Sequence, residues 1–294
     1  MAEKERADVA LVKRGLCESR EKAQANIMAG LVYIGQRKVL KASDPVKPED
    51  ELILRGKANP FVSRGGLKLE KAIAAFDGTV SGRVCMDIGA AAGGFTDVLL
   101  KNGATHVYAI DVGYGQFDWG LRNDSRVTLM ERTNARYLTA EQFPLHPTMT
   151  VMDVSFISIK LILPVAAQIM GPQGCFYTLV KPQFEVGRDR VGKKGVVRDP
   201  KAHEEVLLDI VRFAPTFGWQ VHQLDYSPIT GPEGNIEYLL HIRKPEEISK
   251  EKLALTEHEA ESALQTIIEE KTGLSYTPEW DAVIKGIVDN SHTL

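Results

Sequence analysis

The segment Val84-Cys-Met-Asp87-Ile-Gly89-Ala90-Ala-Ala-Gly93-Gly94-Phe95-Thr96-Asp97 constrains the fold more than any other stretch of the chain. An apolar strand runs into a turn of small residues that opens a helix, and such a turn lets a ligand lie against the backbone beside free helix N–H groups. The pattern continues on both sides. Strands are expected over 84–88, 106–111, 127–130, 150–153, 176–181, 220–225 and 236–242. Helices are expected over 67–76, 95–100, 159–170 and 203–213. Strands that alternate with helices build a largely parallel sheet covered on both faces. The last two strands have no helix between them, so the final one is expected to run antiparallel.

The glycine spacing is not the G-x-G-x-x-G of dinucleotide enzymes, which argues against an NAD-linked oxidoreductase. Asp87 ends the first strand, where a carboxylate suits the cationic amino group of a methionine moiety. Asp111 ends the second, where a carboxylate can accept both hydroxyls of an adenosine ribose. Ligands of open α/β sheets bind outside the carboxyl ends of the strands. Asp153 and Lys181 end the fourth and fifth strands, and Glu237 begins the last. If that strand is antiparallel, its start lies on the same edge, and Lys68 on the preceding helix can join the group. A Lys-Asp-Lys-Glu cluster suits methylation of a ribose hydroxyl, a weak nucleophile whose proton needs a base. A lysine serves only when neutral; burial and a second ammonium favour that form, and the carboxylates oppose it. Directly after Lys181 comes a Gly-rich loop with Arg188, Arg190, Lys193, Lys194 and Arg198, placed to clamp RNA phosphates.

Ahead of this lies a compact α-plus-β unit over residues 1–60, with a linker at about 55–62. A helix is expected over 8–14, another opens at Ser19, and short strands follow at 31–34, 39–40 and 51–54. The unit carries twelve Lys and Arg against nine Asp and Glu, +3, which leaves −6 for the rest of a chain whose formal charge is −3. The bias permits nucleic-acid contact there. Three well-separated cysteines, Cys17, Cys85 and Cys175, fit a reducing compartment and offer neither a disulfide framework nor a metal site. Charges run through the N-terminal segment, and no apolar run approaches the length of a membrane span, so a cytoplasmic protein is expected. Residues 245–294 read as an acidic helical tail. Thr256 and Glu259 form a capping box there, Ala260, Ala263, Leu264, Ile267 and Ile268 a helical stripe, and a second short helix is expected over 281–288.

These motifs resemble the TlyA family, also called hemolysin A or FtsJ-like methyltransferases. The resemblance runs from about Arg6 to Arg243. It rests on Arg6-Ala-Asp8, Ser19-Arg20-Glu21-Lys22-Ala23 and Gly30-Leu-Val32, then on Val62-Ser63-Arg64-Gly65-Gly66-x-Lys68-Leu69 and the Asp87 to Asp97 segment. Asp153-Val-Ser155-Phe156-Ile157-Ser158, Lys181-Pro-Gln-Phe184-Glu185 and Gly234-Asn235-Ile236-Glu237 complete it. It implies an α/β fold, a Rossmann-like class I methyltransferase sheet at 63–244 preceded by a small α+β S4-like RNA-binding domain. It implies 2′-O-methylation of ribosomal RNA with S-adenosylmethionine as cofactor, and leaves open whether free rRNA or ribosomal subunits are the substrate. The tetrad would be Lys68, Asp153, Lys181 and Glu237. Cofactor contacts would come from Asp87, Gly89, Ala90, Gly93, Gly94, Phe95, Asp111 and Asn134, and S4-like contacts to RNA from Arg14, Arg20, Lys22, Arg37 and Lys38. Two departures stand out. Ala91-Ala92 replace the family's Ser-Thr and remove hydroxyls able to bond the cofactor, and Ala7 stands where a leucine is usual. The first departure keeps open an RNA-binding assembly factor with a silent methyltransferase domain. The older family name raises a membrane-lytic hemolysin, against which the absence of an apolar segment argues.

Overall fold

The computed structural model describes residues 4–28, 30–55, 59–171, 173–244 and 279–294. The chain divides into two units, Met1–Leu67 and Lys68–Leu294.

In the first unit, α1 (Ala7–Lys13) packs on α2 (Arg20–Met28). A three-stranded antiparallel sheet has β2 (Val32–Ile34) between β3 (Arg37–Lys38) and β5 (Leu52–Leu54). A ribbon of β1 (Glu5–Arg6) and β4 (Pro45–Val46) closes it. Ala7, Ala10, Leu11, Ala23, Ile27, Val32, Val39 and Val46 form its small core. Asp8 is fully buried there. Arg6 donates to it at 3.0 and 3.1 Å, Arg20 at 3.0 Å and Gln24 at 2.8 Å. These donors, Arg6 foremost, hold its carboxyl well below the usual range against the cost of burial. The strand expected at 39–40 is shifted. Pairing runs through Arg37 and Lys38, while the Leu40 N–H turns to the Asp44 carboxylate at 2.9 Å.

The second unit is a seven-stranded sheet. Its strands are β6 (Val84–Ile88), β7 (His106–Ile110), β8 (Val127–Met130), β9 (Met149–Met152), β10 (Cys175–Val180), β11 (Gln220–Tyr226) and β12 (Tyr238–Arg243), in the order β11-β12-β10-β9-β6-β7-β8. β6 to β10 are mutually parallel, and β12 pairs antiparallel with both β10 and β11, as expected. Every residue of β10 is buried, which accounts for a strand without a charged side chain. Strand order reverses between β6 and β9, and a ligand crevice belongs at such a switch point. The helices are α3 (Gly66–Ala75), α4 (Gly94–Lys101), α5 (Trp119–Arg122), α6 (Leu163–Ile169), α7 (Pro182–Glu185), α8 (Pro200–Phe213) and α9 (Glu279–Ser291). The single helix expected over 159–170 is broken into a 3-10 turn, Ile159–Leu161, and α6, because Pro164 fits only the first turn of a helix. Trp219, buried beneath, donates its indole N–H to the Leu163 carbonyl at 3.1 Å. α9 packs on α8 through Ile284 and Val288. The helix expected from Thr256 to about residue 273 lies outside the described residues. Among the described residues no helix is long and apolar enough to cross a membrane, and no group of side chains could hold a metal ion.

Candidate active site

Four charged side chains meet at the carboxyl edge of the sheet. Asp153 follows β9, Lys181 follows β10, Glu237 precedes β12, and Lys68 stands in the first turn of α3. Their positions follow from topology, because an antiparallel β12 begins where its parallel neighbours end. Lys68 Nζ lies 2.5 Å from Glu237 Oε2 and 3.2 Å from Asp153 Oδ2. Lys181 Nζ lies 2.5 Å from Asp153 Oδ1, 3.9 Å from Glu237 Oε1 and 3.2 Å from the Ser155 hydroxyl. Lys68, Lys181 and Glu237 are buried. Such a group is tolerable only because the signs alternate and every charge has a partner. Burial alone would lower the Lys68 pKa, but the two carboxylates outweigh it and raise it. Burial likewise works against the Asp153 carboxylate, and the two ammonium groups outweigh it and lower its pKa. The two lysines are therefore held differently. Lys68 is locked between both carboxylates, whereas Lys181 contacts one carboxylate closely, a hydroxyl and the edge of the crevice.

The neighbouring turn is built for close approach. Gly89 has φ +83°, and a Cβ there would stand 2.6 Å from the Asp153 carbonyl oxygen. Its glycine is demanded by β6 and β9 meeting at the switch point. Gly93, at φ +93°, caps α4, and Gly94 and Phe95 are buried in its first turn. Asp111 accepts from Ala91 N–H at 2.8 Å, Gly113 N–H at 2.6 Å and Gln116 Nε2 at 3.3 Å, so the turn and the end of β7 are pinned together. Ala90 N–H bonds the Ile110 carbonyl at 3.0 Å, and Asn134 accepts from Arg136 N–H at 3.1 Å. Asp87 is fully buried. Thr96 donates to its Oδ2 at 2.7 Å, while Oδ1 has no hydrogen-bond partner among the described residues. Burial pushes this carboxyl up to about 7 against the Thr96 bond. A buried carboxyl with one oxygen unmatched calls for a proton or a cation.

In sequence the loop after Asp153 is only a motif of the resemblance, which gives Ser155 and Phe156 no role. Ser155 contacts Lys181, and Phe156, with φ +65° and 92% exposure, projects at the same edge. Its ring lies 5.2 Å from that of Phe184. A cleft of about 790 Å³ runs beside them, lined by Arg136, Phe156, Ser158, Gln183, Phe184 and Arg188. What marks the loop out is an exposed aromatic in a left-handed conformation, and φ is not written in a sequence. Glu185 ties this loop to α7, accepting from Ser158 Oγ at 2.6 Å and Ile159 N–H at 2.9 Å.

The basic candidates fall into two groups. Arg190 pairs with Glu205 at 2.5 Å and lies 3.9 Å from Asp199, whereas Arg188, Lys193 and Lys194 are exposed without an ion pair among the described residues. In the first unit, Arg14 donates to the Asp50 and Lys47 carbonyls at 2.5 and 2.8 Å, and Arg20 bonds buried Asp8. Lys22 pairs with Glu18. Arg37 and Lys38 are exposed, with no ion pair among the described residues.

The FtsJ-like methyltransferase family matches residues 61–244, and the S4 domain matches residues 5–52. A Bacillus subtilis protein named as an rRNA methyltransferase, YqxC, is 48% identical over 92% of this chain and 98% of its own. The 16S/23S rRNA (cytidine-2′-O)-methyltransferase TlyA of Mycobacterium tuberculosis is 45% identical over 83% of this chain and 91% of its own. A solved structure from Streptococcus thermophilus that carries a hemolysin name is 42% identical, with a TM-score of 0.72 over 100% of this chain and 97% of that one. With its switch-point turn, antiparallel last strand and S4 match, the chain belongs to the TlyA-type branch of the FtsJ-like methyltransferases.

Proposed function

We propose that this methyltransferase moves a methyl group from S-adenosylmethionine to a ribose 2′-oxygen of ribosomal RNA. One observation carries the reading: two lysines and two carboxylates, drawn from four separate elements, form one cluster at the mouth of the crevice. The names of the relatives support rRNA as the substrate class.

The residues present fit the cofactor. Asp87, with its unmatched buried oxygen, offers a counter-charge to an amino group, and the turn from Gly89 to Gly94 brings backbone close enough for a ligand to lie on it. Ala90, Phe95, Asp111 and Asn134 complete the holding set. In Asp111 the backbone N–H of Ala91 already finds an acceptor, so the missing Ser-Thr hydroxyls leave the turn itself intact. Bound S-adenosylmethionine supplies an electrophilic methyl group on a sulfonium. Lys181 Nζ is the group placed to accept the 2′-hydroxyl proton, which it can do only after giving up its own. Lys68 stays an ammonium between Asp153 and Glu237 and neutralises the anion that would otherwise bind Lys181 alone. Phe156 offers a stacking face to a base, and Arg188, Lys193 and Lys194 meet backbone phosphates.

The test is transfer of a labelled methyl group to unmethylated bacterial ribosomal subunits and to free rRNA, with wild type and Lys181→Ala. General-base catalysis contributes roughly 10²–10⁴-fold, and the variant should lose about that much with its circular dichroism unchanged. The product should map to a ribose 2′-oxygen. A fully active Lys181→Ala would remove the proposed base. No transfer by wild type to any of these RNAs would leave an RNA-binding protein with a silent domain.

A further inference from the structure

Lys193 and Lys194 sit at the tip of a closed turn. Gly195 N–H donates to the Gly192 carbonyl at 2.8 Å, and Gly192 N–H returns to the Val196 carbonyl at 3.2 Å. Gly195 has φ +72°, and a Cβ on Gly192 would stand 2.8 Å from the Val196 oxygen. The turn holds its shape by its own bonds, and its two lysines face solvent while Val196 and Val197 are buried.

Two side chains fasten that turn to the catalytic edge. Asn235 is 4% exposed. Its Nδ2 donates to the Gly195 carbonyl at 2.9 Å, and its Oδ1 accepts from Val197 N–H at 3.1 Å. The Val197 carbonyl is bonded in turn by His203 Nε2 at 3.0 Å. A carbonyl only accepts, so Nε2 carries the proton and Nδ1 faces the Tyr238 hydroxyl at 2.7 Å. Asn235 and Tyr238 flank Glu237 in the chain. Glu237 itself is packed close, since a Cβ on Gly231 would stand 2.9 Å from its Oε1, and Gly231 N–H donates to the Asn235 carbonyl at 2.8 Å. The basic turn and the tetrad carboxylate thus hang on one short piece of backbone.

We propose that Asn235 is a positioning residue that presents the Lys193-Lys194 turn as a preset phosphate clasp, at a fixed distance from Glu237 and so from the reacting ribose. The proposal rests on the RNA methyl-transfer reading above. A turn held in place before RNA arrives loses less freedom on binding than a loose one with the same charges. The same bonds could serve folding alone, and the two cases differ in how substitutions combine.

The experiment is a double-mutant cycle on the full chain, reading affinity for an rRNA fragment, cofactor affinity and amide hydrogen exchange. Asn235→Ala should weaken RNA binding about tenfold, with amides 195 and 197 exchanging faster and cofactor affinity unchanged within about twofold. Replacing both lysines by alanine should also weaken it about tenfold. Combining all three should add little, because a clasp without charges gains nothing from being held. Multiplied losses, about a hundredfold together, or wild-type RNA affinity in Asn235→Ala, would overturn the proposal. Should the alanine variant not fold, Asn235→Asp keeps the acceptor for Val197 N–H and loses the donor to Gly195, and the same non-additivity is expected at smaller size. A wild type that bound no rRNA would overturn the functional reading as well, whereas RNA that is bound and methylated with additive losses would overturn this inference alone.

Discussion

Glu185 carries a charge problem that the sequence hides. It ends the short helix that follows Lys181, it is half-buried, and it joins the Asp153–Ser158 loop to α7 through Ser158 and Ile159. Burial pushes its carboxyl up to about 7, although both hydrogen bonds pull it down. A carboxyl raised in the folded state favours folding fully below its ordinary value, 4.5, and loses that contribution as pH rises through about 7. The histidines with lowered values act in the opposite sense, so the total slope mixes both. A comparison with Glu185→Gln isolates the one group. The glutamine variant should gain stability relative to wild type between about pH 5 and pH 8, read as the difference in thermal midpoint. A difference that is flat across that range would mean that Glu185 stays ionised at all these pH values. Asp87 is raised for the same reason, burial, and adds to the wild-type trend but not to the difference.

At the scale of elements, the strand–turn–helix at β6 and the alternation after it were legible because buried parallel strands are written as apolar runs. The antiparallel β12 followed from a missing helix between the last two strands. Three members of the tetrad could be placed from strand ends and Lys68 from the preceding helix, and the structure brings the four together. What escaped was set by tertiary packing. The break at Pro164, the shift of pairing from Val39-Leu40 to Arg37-Lys38, and the start of β12 one residue after Glu237 all depend on partners distant in sequence. Phe156 escaped for a different reason. It stands in a motif that gives it no role, and only the backbone shows that φ +65° throws the ring outward. A non-glycine residue there is strained by about 1–3 kcal/mol. Phe156→Gly should therefore leave the thermal midpoint level or raised. If the ring stacks on a base, worth roughly 1–3 kcal/mol, methyl transfer should fall by about 5- to 150-fold. Unchanged transfer would remove Phe156 from the substrate surface.

For the whole molecule, net charge is a poor guide to its partner. A chain at −3 looks like no polyanion binder, yet the S4-matching segment lies in the unit whose first sixty residues carry +3. Within that unit the arginines and lysines do different work. Arg14 and Arg20 spend their donors on carbonyls and on buried Asp8, so they hold the unit together. Arg37 and Lys38, on the exposed strand β3, have no such engagement among the described residues. If this unit supplies affinity through phosphates, its charge must act by releasing counterions. Every phosphate that a variant leaves unneutralised then reduces the salt dependence of binding by about 0.7–0.9 in a log–log plot. The full-length double variant Arg37→Glu, Lys38→Glu should bind an rRNA fragment more weakly, with a salt slope shallower by about 1.5, and should hold the cofactor as wild type does. Arg14→Ala should instead lower the thermal midpoint, since it strips two carbonyls of their donor. Charge reversal at 37 and 38 that left both the RNA affinity and the salt slope untouched would make this unit a structural appendage, and the lysine turn beside Glu237 would then have to carry RNA recognition by itself.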